Sequence, residues 1–233
     1  TQWDSMQYNL LKGGPKMIAE NVKRLRSEIP DYVTIVAASK TRTASEILEI
    51  LESGLKDVGE NYVQEAEGKF EAIGNKARWH CIGHLQRNKV KRAVEIFDII
   101  QTVDSFKLAE EIDKRCSYLS KKIPVMIEVN SGREENKAGV LPENVLQLIT
   151  EISPLKNIAV VGLMTMGPFT ENPEEIRPSL RLTRRLFEEI SKEKIEGVEM
   201  KYLSMGMSNS YRVAIEEGSN MIRLGTIIFG ERQ

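Results

Sequence analysis

Lys40 follows the apolar run Val33–Ser39. Side chains alternate along a strand, so Thr34, Val36, Ala38 and Lys40 share one face. If the apolar members of that face fill an interior, Lys40 stands at its rim, stripped of part of its hydration and able to act as an amine nucleophile. The commoner use of such a position is a strand-end lysine reaching into solvent. Farther along, Ser208 stands where a helix is predicted to begin, and Gly225-Thr226 closes the last apolar run. Backbone N–H groups with two hydroxyls suit a dianion such as phosphate, although each feature alone reads as an N-cap serine and a glycine turn. Arg223 lies between Ile222 and Leu224, and a permanent cation in that apolar setting requires a partner. From the residues alone a structural carboxylate such as Glu60 is expected. His80 and His84 on one strand would lie about 13 Å apart at ~3.3 Å per residue, too far to share a metal ion. Cys81 and Cys116 are expected to fill core space, and the methionines at 164, 166, 205 and 207 to pack a barrel, some of them against a planar ligand.

These residues need elements to hold them. Eight short β-branched or apolar runs occur, at Val33–Ser39, Asp57–Glu60, Trp79–His84, Ile99–Val103, Pro124–Val129, Val160–Met166, Tyr202–Met207 and Met221–Thr226, the first seven each followed by helix-compatible sequence. Helix starts are expected at Ser45 and Ser208, and Pro168–Pro178 reads as a long loop. Alternation of this kind implies parallel strands with crossover helices. At 233 residues the chain is close to the ~250 of a closed (β/α)8 TIM barrel. An open doubly wound sheet usually carries a glycine-rich turn after its first strand, whereas Ala37-Ala38-Ser39-Lys40 has no glycine. The expected fold is therefore an α/β, single (β/α)8 TIM barrel spanning 1–233 as one domain, with its chemistry at the C-terminal ends of the strands.

Lys and Arg number 33 against 34 Asp and Glu, a net charge of −1, which argues against a nucleic-acid or anionic-membrane binder. The longest apolar stretches, Val33–Ala38 and Ile158–Met164, fall far short of the ~18 to 20 residues that cross a bilayer. With two cysteines and no leader-like opening, a reducing cytosol is the expected compartment.

Six blocks, taken in order, resemble a known family: Ala37–Thr41, Gly59–Glu65, Trp79–Lys89, Gly162–Met166, Leu203–Ser208 and Met221–Gly230. They are similar to the YggS/PROSC family of pyridoxal 5′-phosphate homeostasis proteins, whose barrel is related to the N-terminal domain of alanine racemase. Gly13-Gly14-Pro15 departs from the continuous first helix of that family. The resemblance implies that Lys40 forms an aldimine with the cofactor aldehyde, that Ser208, Gly225 and Thr226 hold the phosphate, and that Arg223 faces the pyridine nitrogen. Asn61, His84 and Met166 match family positions around the pocket. A cation facing the ring nitrogen disfavours its protonation and weakens the ring as an electron sink. The sequence ends at Gln233, so no second domain is expected to cover the pocket. The implied function is a non-catalytic carrier that buffers or delivers pyridoxal phosphate, as a monomer or weak homodimer in transient contact with apo-enzymes. The alternatives are a pyridoxal-phosphate-dependent racemase and a cofactor-free Schiff-base aldolase acting on a phosphorylated sugar.

Overall fold

The computed structural model describes residues 15–168, 170 and 172–231. Gly13 and Gly14 lie outside them, and the first helix begins at the Pro15 that follows. Eight parallel strands close in sequence order, β1 against β8. They are β1 (Thr34–Ala38), β2 (Asp57–Glu60), β3 (Arg78–Cys81), β4 (Ile99–Val103), β5 (Ile123–Glu128), β6 (Ile158–Met164), β7 (Val198–Ser204) and β8 (Met221–Leu224). Around them run α1 (Pro15–Glu28), α2 (Ala44–Glu52), α3 (Val63–Ile73), α4 (Val90–Ile96), α5 (Phe106–Tyr118), α6 (Val145–Ile152), α7 (Arg177–Lys192), α8 (Tyr211–Glu216) and the four-residue α9 (Thr226–Phe229). This is the (β/α)8 barrel that the alternation predicted.

Period-two alternation sorts the strand side chains. Val36, Ile82, Ile99, Met126, Met164 and Met221 cluster together and fill the barrel, with Ala38 packed on them, so the face that carries Lys40 does point inward. The intervening residues, Trp79, Ile100, Val125, Ile127, Leu163 and Leu203 among them, pack outward against the helices. Because α9 is short, α1 shares the covering of β1 and β8: Val22 and Leu25 pack with Ile35, Ala37, Ile222 and Leu224, and Asn21 donates to the Ile228 carbonyl at 3.0 Å.

Several boundaries differ from expectation for identifiable reasons. β3 ends at Cys81 rather than His84 because the chain at Gly83 presses on the backbone of Asn61. β7 ends at Ser204 rather than Met207, since Gly206 takes a left-handed turn at φ 93°. The start of α2 is capped by Thr43, not Ser45: Thr43 Oγ1 accepts from Glu46 N–H at 3.2 Å while the Glu46 carboxylate accepts from Thr43 N–H at 2.7 Å, a reciprocal capping box. Ser210 occupies the N-cap position of α8, which frees Ser208 for another use. Pro178 belongs to the first turn of α7, where its missing N–H costs nothing, so the loop is shorter than expected. Among the described residues no helix is long and apolar enough to cross a membrane.

Candidate functional site

A cavity of about 310 Å³ opens at the C-terminal end of the barrel, at the low end of the ~300 to 1,000 Å³ typical of small-molecule sites. Lys40, Asn61, Met166, Ser208, Arg223, Gly225 and Thr226 all line it, although they come from five separate stretches of chain. His84 does not. Its side chain is 58% exposed, with Nδ1 3.7 Å from Asp104 Oδ2, because the chain has already left the barrel ladder at Gly83. Ala38 and Ile82 form apolar floor, and Met166 and Met207 form apolar wall. Met164 instead packs inside the barrel and Met205 outside it.

Lys40 is half-buried, one residue beyond the fully buried Ser39. Ser208 Oγ lies over the turn into α9, where it accepts from the N–H groups of Gly225 at 3.3 Å and Ile227 at 3.5 Å. One hydroxyl and two converging backbone donors at the cavity edge make a group suited to an anion.

Arg223 is almost wholly buried and is not paired with Glu60, which is held by Lys69 at 2.6 Å behind β2. Its guanidinium instead donates to Ser204 O at 3.0 Å and Ser204 Oγ at 2.5 Å, and through the other nitrogen to Thr165 O at 2.8 Å and Met166 Sδ at 3.5 Å. Carbonyl dipoles thus replace the expected carboxylate. Burial pulls its pKa down to about 10, against the pull of Glu128, so it is still a cation at neutral pH. A polar column continues below it: Ser204 donates to Gln101 Oε1 at 2.7 Å, Gln101 Nε2 meets His80 Nδ1 at 2.9 Å, and His80 Nε2 meets Asp57 Oδ1 at 2.7 Å. With Nδ1 accepting from the amide, Nε2 carries the proton and donates to Asp57. Burial holds the His80 pKa below the usual imidazole range. Burial alone would raise Asp57, but the contacts with His80 and Arg78 outweigh it and keep that carboxyl low.

Two features carry no assigned role in the sequence. Glu128, at the inner end of β5, is pushed up to about 7 by burial, with Asp104 adding to the effect and Arg223 opposing it. Its Oε2 is buried without a hydrogen-bond partner among the described residues. A lone carboxylate closing an apolar run was the available signal. The second is the Glu60–Lys69–Glu65 group behind Lys40, in which Glu65 and Lys69 form an i,i+4 pair on α3. Among the described residues no cluster of three or more His, Cys, Asp or Glu could hold a metal ion.

The sequence model of the alanine racemase N-terminal domain matches residues 15–233. A protein of Aquifex aeolicus named pyridoxal phosphate homeostasis protein is 45% identical over 200 residues, covering 85% of this chain and 87% of its own. The chain belongs to the pyridoxal phosphate homeostasis protein family. PipY of Synechococcus elongatus PCC7942, solved without pyridoxal phosphate, superposes with a TM-score of 0.86 at 34% identity, covering 91% of this chain and all of that one. PipY with pyridoxal phosphate bound superposes with a TM-score of 0.84 at 33% identity. Family membership agrees with the resemblance carried by the six sequence blocks.

Proposed function

We propose that this chain, like the pyridoxal phosphate homeostasis proteins it resembles, binds pyridoxal 5′-phosphate in the cavity at the top of its barrel and buffers or delivers it in the cytoplasm without turning over a substrate. The observation that carries this reading is the convergence on one cavity of an amine, a guanidinium and a hydroxyl with backbone N–H groups, from Lys40, Arg223 and Ser208 with Gly225 and Ile227. These three kinds of group suit an aldehyde, a ring nitrogen and a phosphate. When bound, the cofactor supplies an electrophilic aldehyde and a ring able to accept electrons.

Lys40 Nζ would be the amine that meets the cofactor aldehyde. Ser208, Gly225 and Thr226 would hold the phosphate, where charge-assisted hydrogen bonds are the strong ones. Met166 and Met207 would lie beside the ring, and Asn61 borders the cavity. Arg223, a cation fixed by Ser204 and Thr165, opposes protonation of the ring nitrogen and so opposes carbanion chemistry. That opposition favours a carrier over a racemase. Delivery by transient contact with apo-enzymes, from a monomer or weak homodimer, completes this reading.

The test is the absorption spectrum of the protein loaded with pyridoxal phosphate, followed by borohydride reduction and peptide mapping. A chromophore trapped on the Lys40 peptide and lost in Lys40→Ala is expected. A label on another lysine, or no chromophore, overturns the assignment. No chromophore in the wild-type protein, together with cleavage of a phosphorylated sugar that is lost in Lys40→Ala, would instead favour an aldolase.

A further inference from the structure

Thr41, immediately after Lys40, has a left-handed backbone with φ 66°. A β-branched side chain rarely adopts that conformation, and residues held in it cluster at functional sites. The Thr41 N–H donates to Glu65 Oε1. On the other side of Lys40, the Ser39 carbonyl accepts from Lys69 Nζ at 2.7 Å and from Arg42 N–H at 2.9 Å. Lys69 Nζ also reaches Glu60 at 2.6 Å and Glu65 at 3.0 Å, and Ser39 Oγ donates to Glu60. Each of the two peptide groups flanking Lys40 is therefore gripped by a charged side chain. Both gripping residues stand on one face of α3, four positions apart, and Lys69 and Glu60 are buried. A lysine, a glutamate and a serine buried behind a strand, with Glu65 partly exposed at their edge, carry a desolvation cost that an apolar filling would avoid.

We propose that Glu65 and Lys69 are positioning residues for Lys40, gripping the peptides on either side of it so that its side chain leaves the backbone into the cavity rather than toward solvent. This rests on the reading that Lys40 bonds to the cofactor. The two residues touch neither the cavity nor the phosphate donors. Their effect should therefore fall on the covalent bond and spare ring and phosphate binding.

Pyridoxine 5′-phosphate separates the two, since it keeps the ring and the phosphate and has no aldehyde. The affinities of the full-length protein for it and for pyridoxal 5′-phosphate are measured by calorimetry, and the ratio of the two reports the covalent advantage. Glu65→Ala is preferred to a substitution at Lys69, because removing the lysine leaves the buried Glu60 unpaired and threatens folding. In Glu65→Ala the affinity for pyridoxine 5′-phosphate should stay within about twofold of wild type, while the covalent advantage falls about tenfold, the scale of one charge-assisted hydrogen bond. Glu65→Gln keeps an acceptor for the Thr41 N–H and should recover most of the loss, to within about threefold of wild type. An unchanged ratio in Glu65→Ala, an equal weakening of both ligands, or no recovery in Glu65→Gln overturns the positioning role. A wild-type protein that shows no preference for the aldehyde overturns instead the assignment of Lys40.

Discussion

Replacing Glu128 by glutamine should make the cofactor-free protein more stable in base and leave it nearly unchanged in mild acid. The carboxyl sits at the inner end of β5, buried, with Oε2 unpartnered among the described residues, and its pKa rises from 4.5 to about 7. In the unfolded chain the same group loses its proton near 4.5. Between that value and about 7 the folded state therefore binds more protons than the unfolded state, and stability falls as pH rises. The full difference corresponds to about 3 kcal/mol above pH 7, of which about 2 to 3 kcal/mol develops between pH 5 and pH 8. Glutamine keeps the shape and never ionises, so it lacks this loss. Urea unfolding followed by circular dichroism at pH 5 and pH 8 measures the difference directly. Arg223 is the reason the outcome is informative. Its guanidinium is satisfied by Ser204 and Thr165 rather than by Glu128. If a Glu128–Arg223 ion pair dominated instead, Glu128→Gln would destabilise the protein at pH 8, and a parallel or inverted pH dependence of the two proteins would refute the reasoning.

Replacing Ser208 and Thr226 together by alanine should weaken pyridoxal phosphate binding at least about tenfold, the factor that ~1.4 kcal/mol represents. Pyridoxal without its phosphate should be nearly indifferent to the same change, so equal losses for both ligands would misplace the phosphate. Trp79→Ala should cost about 3 to 5 kcal/mol in chemical unfolding, because the indole is fully buried between β3 and its helices and donates Nε1–H to the Gly74 carbonyl at 3.0 Å. Cys81 and Cys116 are buried, and burial pushes their thiols up to about 12 and about 11. Neither should react with an aromatic disulfide reagent at pH 8 until the protein is unfolded.

Much of this protein is decided locally. The period of two in Thr34, Val36, Ala38 and Lys40 fixes which face of β1 is inside, because a strand can put its apolar face in only one direction once the sheet closes. Alternation of strands with helical segments fixes the order of the barrel, and the glycine-flanked turn at Gly225-Thr226 fixes a cluster of donors at its rim. The residues that reach the cavity from different strands could be gathered in advance only through the rule that barrel chemistry lies at strand ends and through the family resemblance. Tertiary structure decided the rest, since each remaining question concerns which groups meet across long stretches of sequence. Ser208 looked like the cap of its own helix and instead accepts from the turn into α9, seventeen residues away at Gly225. Glu60 looked like a partner for Arg223, but it lies on the outward face of β2, where Lys69 neutralises it, while Arg223 finds carbonyls inside. His84 carries the family's residue type, yet the early end of β3 leaves it exposed beside Asp104. Charge, burial and hydrogen bonding at these positions depend on distances through space, and sequence periodicity specifies only the face on which a side chain starts.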